Sequence, residues 1–356
     1  VRGVVLAAGK GTRLRPITFS IPKPLIPLLG RPLITYGIEQ LKMIGIRDIT
    51  VVIGWLSDMF KEVLGDGKKY GVNISYVLQE RRLGIAHAIH LAIINDRINE
   101  PFIVYLGDNI LTDMWTKEFK LLSENYDAIL FLTEVSNPQR FGVAIVKDGK
   151  IIGFVEKPKH PPSNLALVGL YYFRDPDEYE KCFSTLKPSW RGEYEITDII
   201  NCYLKRGKNV GYIKIKGWWK DAGKPEDLIG AMILLMDTYI KESIIRGEVI
   251  GNVHGKVIVE EGARVEGEVF GPAYIAKNVY IGKHAKVEHY VDLEEGVRLD
   301  SGSLSRSIVL NSSNINAQYS RIVDSVIGPN SNIWISNDLR INLRLVVAQE
   351  SVLKID

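Results

Sequence analysis

Beyond residue 247 the apolar residues of this chain recur at intervals of six. Val253, Val259 and Val265 form one series. After a shift of phase, Ile275, Ile281, Val287, Leu293 and Leu299 form a second, and a further shift gives Val309, Ile315, Ile327 and Ile333, with Arg321 occupying one step. Small residues accompany several of these positions, as in Ile281-Gly282 and Ile327-Gly328. Such a period puts one apolar residue on each of many short strands, all pointing into a coiled stack. The segment therefore reads as a β-helix of hexapeptide repeats, a quasi-one-dimensional element in which each turn rests on the last.

The rhythm before residue 240 is different. A continuous apolar run at 3–8, "GVVLAA", has the character of a parallel strand buried on both faces. Helical spacing follows at 33–46, with Ile34, Ile38, Leu41 and Ile44 on one side. Strand patterns at 49–54, 73–79 and 101–108 then alternate with helical patterns at 59–67 and 85–96. This predicts a doubly wound, Rossmann-like α/β domain, in which ligands sit at the carboxyl ends of the parallel strands. The polar or glycine-rich stretches Gly9–Arg13, Gln79–Gly84 and Gly107-Asp108-Asn109 all fall at such ends. An amphipathic helix is predicted over 224–244, and the domain boundary is set at its end, giving residues 1–246 and 247–356.

A length of 356 residues suits two domains. Hydrophobic content of 46% with 24% charged residues is ordinary for a globular protein, and no apolar run approaches the ~18 residues of a membrane span. The chain starts on a strand-like run without a signal-peptide pattern, so a cytoplasmic location is expected. A net charge of +3 without a basic run argues against nucleic acid as a partner. Cys182 and Cys202 are too few for a disulfide framework and far from metal-ligand spacing, so they are expected to be core residues. The six histidines show neither metal spacing nor pairing with a nucleophile, and His87 and His90 are assigned to a helix face.

Several short stretches could carry chemistry. In "AAGKGTRLRP", Gly9 and Gly11 allow close backbone approach to a ligand, and Arg13 offers a fork of donors suited to phosphate oxygens. Neither the dinucleotide fingerprint nor the P-loop pattern fits, so a phosphate loop and a plain βα turn both remain open. Lys23 stands between Pro22 and Pro24, a stiff setting that would aim its ammonium, though a solvated loop lysine would look alike. Asp108 ends a strand and Asp221 follows "GWWK"; each could be a Mg²⁺ ligand or a helix N-cap. "GFVEKPK" sets Glu156, a hydroxyl acceptor, beside Lys157, a phosphate neutraliser, or simply makes a surface pair.

The order of these stretches is more telling than any one of them. "LAAGKGTRLRPIT", "IPKPLIPLLGRPLI", "LQERRLGIAHAI", "LGDN", "FGVAIV", "VEKP", "SNLALVGLYYF", "RGEYEITDI" and "GWWKDAG" together resemble the sugar-1-phosphate nucleotidylyltransferases. Nearest among them are long-form thymidylyltransferases that end in a left-handed β-helix, and "LRLVVAQESVLKI" resembles the end of that form. The resemblance implies transfer of a nucleotidyl group from dTTP to glucose 1-phosphate, with Mg²⁺ as cofactor and pyrophosphate as leaving group. It implies that Ala8, Gly9, Gly11, Thr12 and Arg13 hold the triphosphate, that Lys23 stabilises charge at the α-phosphate, and that Gln79 and Gly84 read the pyrimidine. Asp108 and Asp221 match the metal ligands and Glu156 the sugar-hydroxyl acceptor. Lys157 and Arg191 fall near the sugar phosphate, while Gly142, Asn164 and Leu167 line the sugar pocket. No general base is needed, since a phosphate oxygen is already ionised at neutral pH; catalysis reduces to in-line positioning and charge neutralisation.

Two positions depart from the pattern. Pro24 follows the lysine where short thymidylyltransferases often carry glutamine, and Phe141 precedes Gly142 where tyrosine is common. Thymine differs from uracil by one methyl group, worth only ~1–3 kcal/mol of discrimination, so UTP is expected as a second donor. A bifunctional enzyme that also acetylates an amino-sugar phosphate is the first alternative. It would need an Asn-Phe-Val-Glu-type stretch before a lysine, which is not found. A non-catalytic regulatory subunit is the second; such chains lose a metal carboxylate or phosphate-binding residue, and here Arg13, Lys23, Asp108 and Asp221 are all present. The flat sides of the β-helix predict a homo-oligomer.

Overall fold

The structure, a computed structural model, describes residues 1–112 and 115–356. Its contacts divide the chain into two compact units, and these interleave in sequence. One comprises Val1–Lys10 with Ile34–Trp219, the other Gly11–Leu33 with Lys220–Asp356.

The first unit is built on a nine-stranded mixed sheet. Strands β1 (Arg2–Leu6), β2 (Asp48–Ile53), β3 (Asn73–Leu78) and β4 (Phe102–Leu106) are mutually parallel, in the spatial order β4-β1-β2-β3. Helices α1 (Ile34–Met43), α2 (Ser57–Leu64) and α3 (Ile85–Asn95) connect them. Val4, Val5, Val51, Val52, Ile103 and Val104 are fully buried, as a sheet covered on both faces requires. Beyond β4 the sheet turns antiparallel through β5 (Ala128–Glu134), β6 (Gly142–Lys147), β7 (Lys150–Glu156) and β8 (Leu165–Phe173). Because β1 to β4 run the same way, Ala7–Lys10, Gln79 onward and Gly107–Asn109 leave the sheet along one edge. Three bonds continue the ladder at that edge: Ala7 N–H to Val52, Gln79 N–H to Ile53 and Gly107 N–H to Leu6.

The cysteines correct the sequence reading. Cys182 is fully buried as expected, yet it is disulfide-bonded to Cys202. The bond ties α4 (Pro176–Phe183) to α5 (Ile196–Lys205), two helices whose packing brings positions 20 residues apart into contact. Two cysteines cannot make a framework, but they can make one staple. Closing a loop of this length constrains the unfolded chain by about 3 kcal/mol. Cys182→Ser is therefore expected to lower the melting temperature of the oxidised protein towards that of a dithiothreitol-treated sample, as calorimetry would show.

In the second unit, the helix expected over 224–244 is α6, Pro225–Tyr239. It stops early because the chain is drawn into a coil strand at Ile244–Ile245, which pairs with Ile258–Val259. From there the strands stack as all-parallel sheets, in keeping with a left-handed β-helix. The coil also explains the phase shifts of the hexapeptide series. Ile275 pairs with Leu293 and Ile281 with Leu299, eighteen positions on, which is three hexapeptides per turn. Val259 pairs with Ile275 and Leu299 with Ile315, sixteen positions on, so these turns are two residues shorter and the series restarts. The step held by Arg321 is corrected by one residue. Ile322, at 1% exposure, fills the interior beneath Leu304, while Arg321 turns outward and pairs with Glu288. Among the described residues no helix is long and apolar enough to cross a membrane.

Candidate functional site

Three clusters of polar side chains are found, two in the first unit and one in the second. The second unit holds the most tightly paired. Lys23 lies on the short turn Lys23–Leu25 between prolines and is only 5% exposed. Its Nζ donates to Asp221 Oδ1 at 2.7 Å, and Arg13 Nη2 lies 3.6 Å from Asp221 Oδ2. A buried ammonium is tolerated only with such a partner. Arg13 stands half-exposed on the turn Thr12–Leu14. Gly223 lets it approach, since a Cβ there would sit 3.1 Å from Arg13 Nη2. Gly11 is needed for two reasons: its φ is +61°, and a Cβ would meet Thr18 Cγ2 at 2.9 Å. Thr18 closes the same loop by donating its hydroxyl to Gly11 O at 2.8 Å. Thr12 is exposed.

In the first unit Ala8 is buried and Gly9 exposed, with open space where a Cβ would be. Gln79, only 5% exposed, donates through Nε2 to Gly84 O at 3.2 Å and lies 3.1 Å from His87 Nδ1. Burial and the neighbouring His90 push the His87 pKa down, so Nδ1 can accept from the amide. Gly84, at φ +101°, could take no side chain, since a Cβ would stand 2.5 Å from Tyr194 O. Sequence reading placed His87 on a helix face and did not join it to Gln79. Its signal was the i to i+8 step from Gln79 across a loop into α3, which only the fold makes visible. His90, its helix neighbour, faces Glu180 at 2.7 Å and stacks on Phe183. At β4's carboxyl end, Asp108 Oδ1 accepts from Asn109 Nδ2 at 2.8 Å, and Asn109 in turn accepts from the Trp219 indole.

The third cluster gathers around Glu156. The register pairs Glu156 with Gly142, where a Cβ would meet Glu156 Oε2 at 3.1 Å and Leu167 Cδ1 at 3.1 Å. Lys157 has a left-handed backbone, φ +42°, fixed by its N–H bond to Phe141 O, and its Nζ returns to within 3.4 Å of Glu156. Phe141 packs edge-on against Trp219. Arg191 Nη1 lies 3.6 Å from Glu156 and 3.2 Å from Glu195, with Glu193 at 2.8 Å from Nη2. Glu195 is buried and takes a further bond from Ser189 Oγ at 2.8 Å. Burial raises the Glu156 pKa, partly offset by Lys157 and reinforced by Glu195. Thus Gly142, Glu156, Lys157, Leu167 and Arg191 come together, and Glu195 joins them unforeseen. Asn164 is exposed at the entrance to β8, its carbonyl accepting from Val135 N–H.

A doubly wound sheet whose parallel strands end in glycine-rich and polar turns is an architecture that accommodates phosphorylated ligands at those ends. The profile described as "Nucleotidyl transferase" matches residues 2–237, and the chain belongs to that family. It is 39% identical over the full length of both chains to the low-salt glycan biosynthesis nucleotidyltransferase Agl11 of Haloferax volcanii. It is 36% identical to a glucose-1-phosphate thymidylyltransferase of Streptomyces griseus, covering 99% of this chain and 98% of that one. The bifunctional protein GlmU of Methanococcus aeolicus is 34% identical over 96% of this chain and 80% of its own length. Among solved structures, one described as a putative glucose-1-phosphate thymidylyltransferase from Bacillus anthracis, in complex with a sucrose, superposes with a TM-score of 0.60. It is 39% identical and covers 65% of this chain and 94% of that one. The chain is thus a nucleotidyltransferase acting on a sugar 1-phosphate.

Proposed function

We propose that the chain transfers a thymidylyl group from dTTP to glucose 1-phosphate, giving dTDP-glucose and pyrophosphate, with UTP as a second donor. The observation that carries this reading beyond the family is the state of Gln79. Both hydrogens of its amide are engaged, by Gly84 O and by neutral His87 Nδ1. Its Oε1 is then the atom left to meet a base, and an acceptor there suits the N3–H of thymine or uracil. Cytosine, with an acceptor at N3, would be repelled. Near-complete mutual coverage with a thymidylyltransferase supports the sugar and the nucleotide together.

In this reading Ala8, Gly9, Gly11 and Thr12 cradle the triphosphate, and Arg13 neutralises the departing pyrophosphate. Lys23 meets the charge that grows on the α-phosphate, held ready by its bond to Asp221. The attacking sugar phosphate is held by Lys157 and Arg191, and Glu156 accepts a sugar hydroxyl within the pocket of Gly142, Leu167 and Asn164. The donor set suits Mg²⁺, which takes one or two carboxylates and completes its shell with phosphate oxygens and water. Asp108, oriented by Asn109, and Asp221, partly exposed, would hold it. When bound it would supply charge neutralisation on the phosphates.

Replacing Glu156 by Gln removes a charged acceptor worth about 1.5–3 kcal/mol to a hydrogen bond. Steady-state kinetics are expected to show the KM for glucose 1-phosphate raised roughly 10- to 100-fold with the KM for dTTP unchanged. An equal loss in both would remove Glu156 from the sugar site. Mass spectrometry of the wild-type reaction tests the main reading: dTDP-glucose from dTTP and glucose 1-phosphate is the product required.

A further inference from the structure

The hairpin Pro27–Pro32 carries the chain away from Lys23, and its tip is held in an unusual way. Pro27 pairs with Pro32 and Leu28 with Arg31, which leaves the two-residue loop Leu29-Gly30. Both loop residues have positive φ, +52° and +74°. That is the turn geometry of a tight hairpin, and one that leucine disfavours. Something must repay the strain. The Leu29 N–H donates to Asp292 Oδ2 at 2.9 Å, and the Gly30 N–H to Glu294 Oε1 at 2.9 Å. Gly30 admits no larger residue, because a Cβ would lie 2.3 Å from the Tyr274 hydroxyl oxygen.

The two acids are out of place for a coil of this kind. Val291 and Leu293 fill the interior, so Asp292 between them points outward, level with Tyr274 and Ile308 on the neighbouring strands. Outward positions are normally wet, yet Asp292 is fully buried and Glu294 is 3% exposed. Among the described residues neither pairs with a cation. Asp292 Oδ1 is buried with no hydrogen-bond partner among the described residues, and Glu294, two positions along the chain, acts on it electrostatically. Two buried carboxyls this near each other cannot both ionise cheaply, so the pair favours a form that keeps a proton. Burial and mutual repulsion drive Asp292 well above the usual carboxylate range, and burial takes Glu294 up to about 7. The surrounding groups are Tyr274, raised by its burial, with Glu260 and its partner Arg246 beyond it, Glu295 next in the chain, and Arg31 beside the turn.

We propose that Asp292 and Glu294 are positioning residues for nucleotidyl transfer: a proton-keeping carboxyl pair on the β-helix clamps the hairpin tip and so fixes Lys23 against Asp221. The link is short and stiff. Lys23 is four residues from the hairpin, with Pro24 and Pro27 fixing φ along the way. Ile26 and Leu28 are fully buried, and Ile26 O accepts from Leu33 N–H at 3.0 Å. The β-helix thereby becomes part of the catalytic apparatus, and losing the retained proton loosens the clamp. Both acids have raised values in the folded state, so folding takes up protons. Their contribution to stability is complete below the unfolded carboxyl values near about 4 and is lost as pH rises through the folded values.

The kinetic arm of the test rests on Lys23 serving the transfer proposed above; the exchange arm does not. Hydrogen exchange of a peptide spanning 26–33, corrected for intrinsic rates, is compared at pH 6 and 8.5 in full-length protein. Wild type is expected to lose protection at Leu29 and Gly30 roughly tenfold at the higher pH, the worth of about one hydrogen bond. Glu294→Gln, which can donate to Asp292 and cannot ionise, is expected to keep its protection at both. Asp292→Ala/Glu294→Ala should lack protection at both and show kcat lowered about tenfold, with a cooperative melt and an unchanged KM for the sugar phosphate. Should the double variant not fold, the Glu294→Gln and Asp292→Asn pH profiles of exchange and of kcat decide alone. Identical profiles in wild type and Glu294→Gln would overturn the retained proton. Lost protection with undiminished kcat would overturn the link to Lys23.

Discussion

Lys23→Met is expected to lower kcat for pyrophosphate release about 10²–10³-fold while moving the melting temperature little. The size follows from removing one preorganised donor aimed at developing charge in a water-poor site. Methionine matches the lysine stem in length and can occupy its buried channel, so packing survives. Asp221 loses a partner but is partly exposed and keeps Arg13 nearby. Binding of dTTP, measured by calorimetry, should weaken far less than kcat falls, because the charge that Lys23 meets grows only as the α-phosphate is attacked. Equal losses in binding and turnover would make Lys23 a ground-state anchor instead.

The second large effect concerns the two aspartates. Asp108→Asn and Asp221→Asn each keep size and an acceptor, so the bonds to Asn109 and Lys23 persist in kind. What goes is one negative charge on a hard ligand. Turnover is expected to fall at least about 10³-fold, as loss of Mg²⁺ neutralisation on the phosphates requires. The Mg²⁺ concentration for half-maximal rate should rise in both variants. Chelation of the wild type should give the same inactivity, reversed on adding Mg²⁺. A variant with wild-type Mg²⁺ dependence would strike that aspartate from the metal site.

How far the sequence carried this account depends on the kind of order involved. The α/β strands were legible because β1, β2 and β4 carry continuous apolar runs in their interiors, the pattern of a sheet covered on both faces. The coil was legible because one inward residue per strand repeats every six positions. Its exceptions were not, because a turn shortened to sixteen residues is set by pairing between distant strands, as with Val259 and Ile275. Arg321 for Ile322 is the same failure on the scale of one residue. The interleaving of the two units could not be read either, since nothing local marks Gly11–Leu33 as packing with residues 200 positions away. Lys23 between its prolines and the adjacent Glu156-Lys157 stand out locally, but each has an equally local alternative, a solvated loop lysine or a surface pair. His87 and Glu195 act through partners brought near by folding, and Asp292 and Glu294 look like surface acids until the hairpin covers them. The burial of Cys182 supports its reading as a core residue while Cys202 is only half-buried, and their bond depends on the packing of two helices.

The most direct test of the central claim is the initial rate of pyrophosphate release with Mg²⁺ across dTTP, UTP, CTP, ATP and GTP, each with glucose 1-phosphate and with N-acetylglucosamine 1-phosphate. The account predicts a maximum for dTTP with glucose 1-phosphate and UTP second, with CTP far below because its N3 acceptor would face the acceptor that Gln79 offers. A maximum with CTP or a purine, or with the amino sugar, would contradict it.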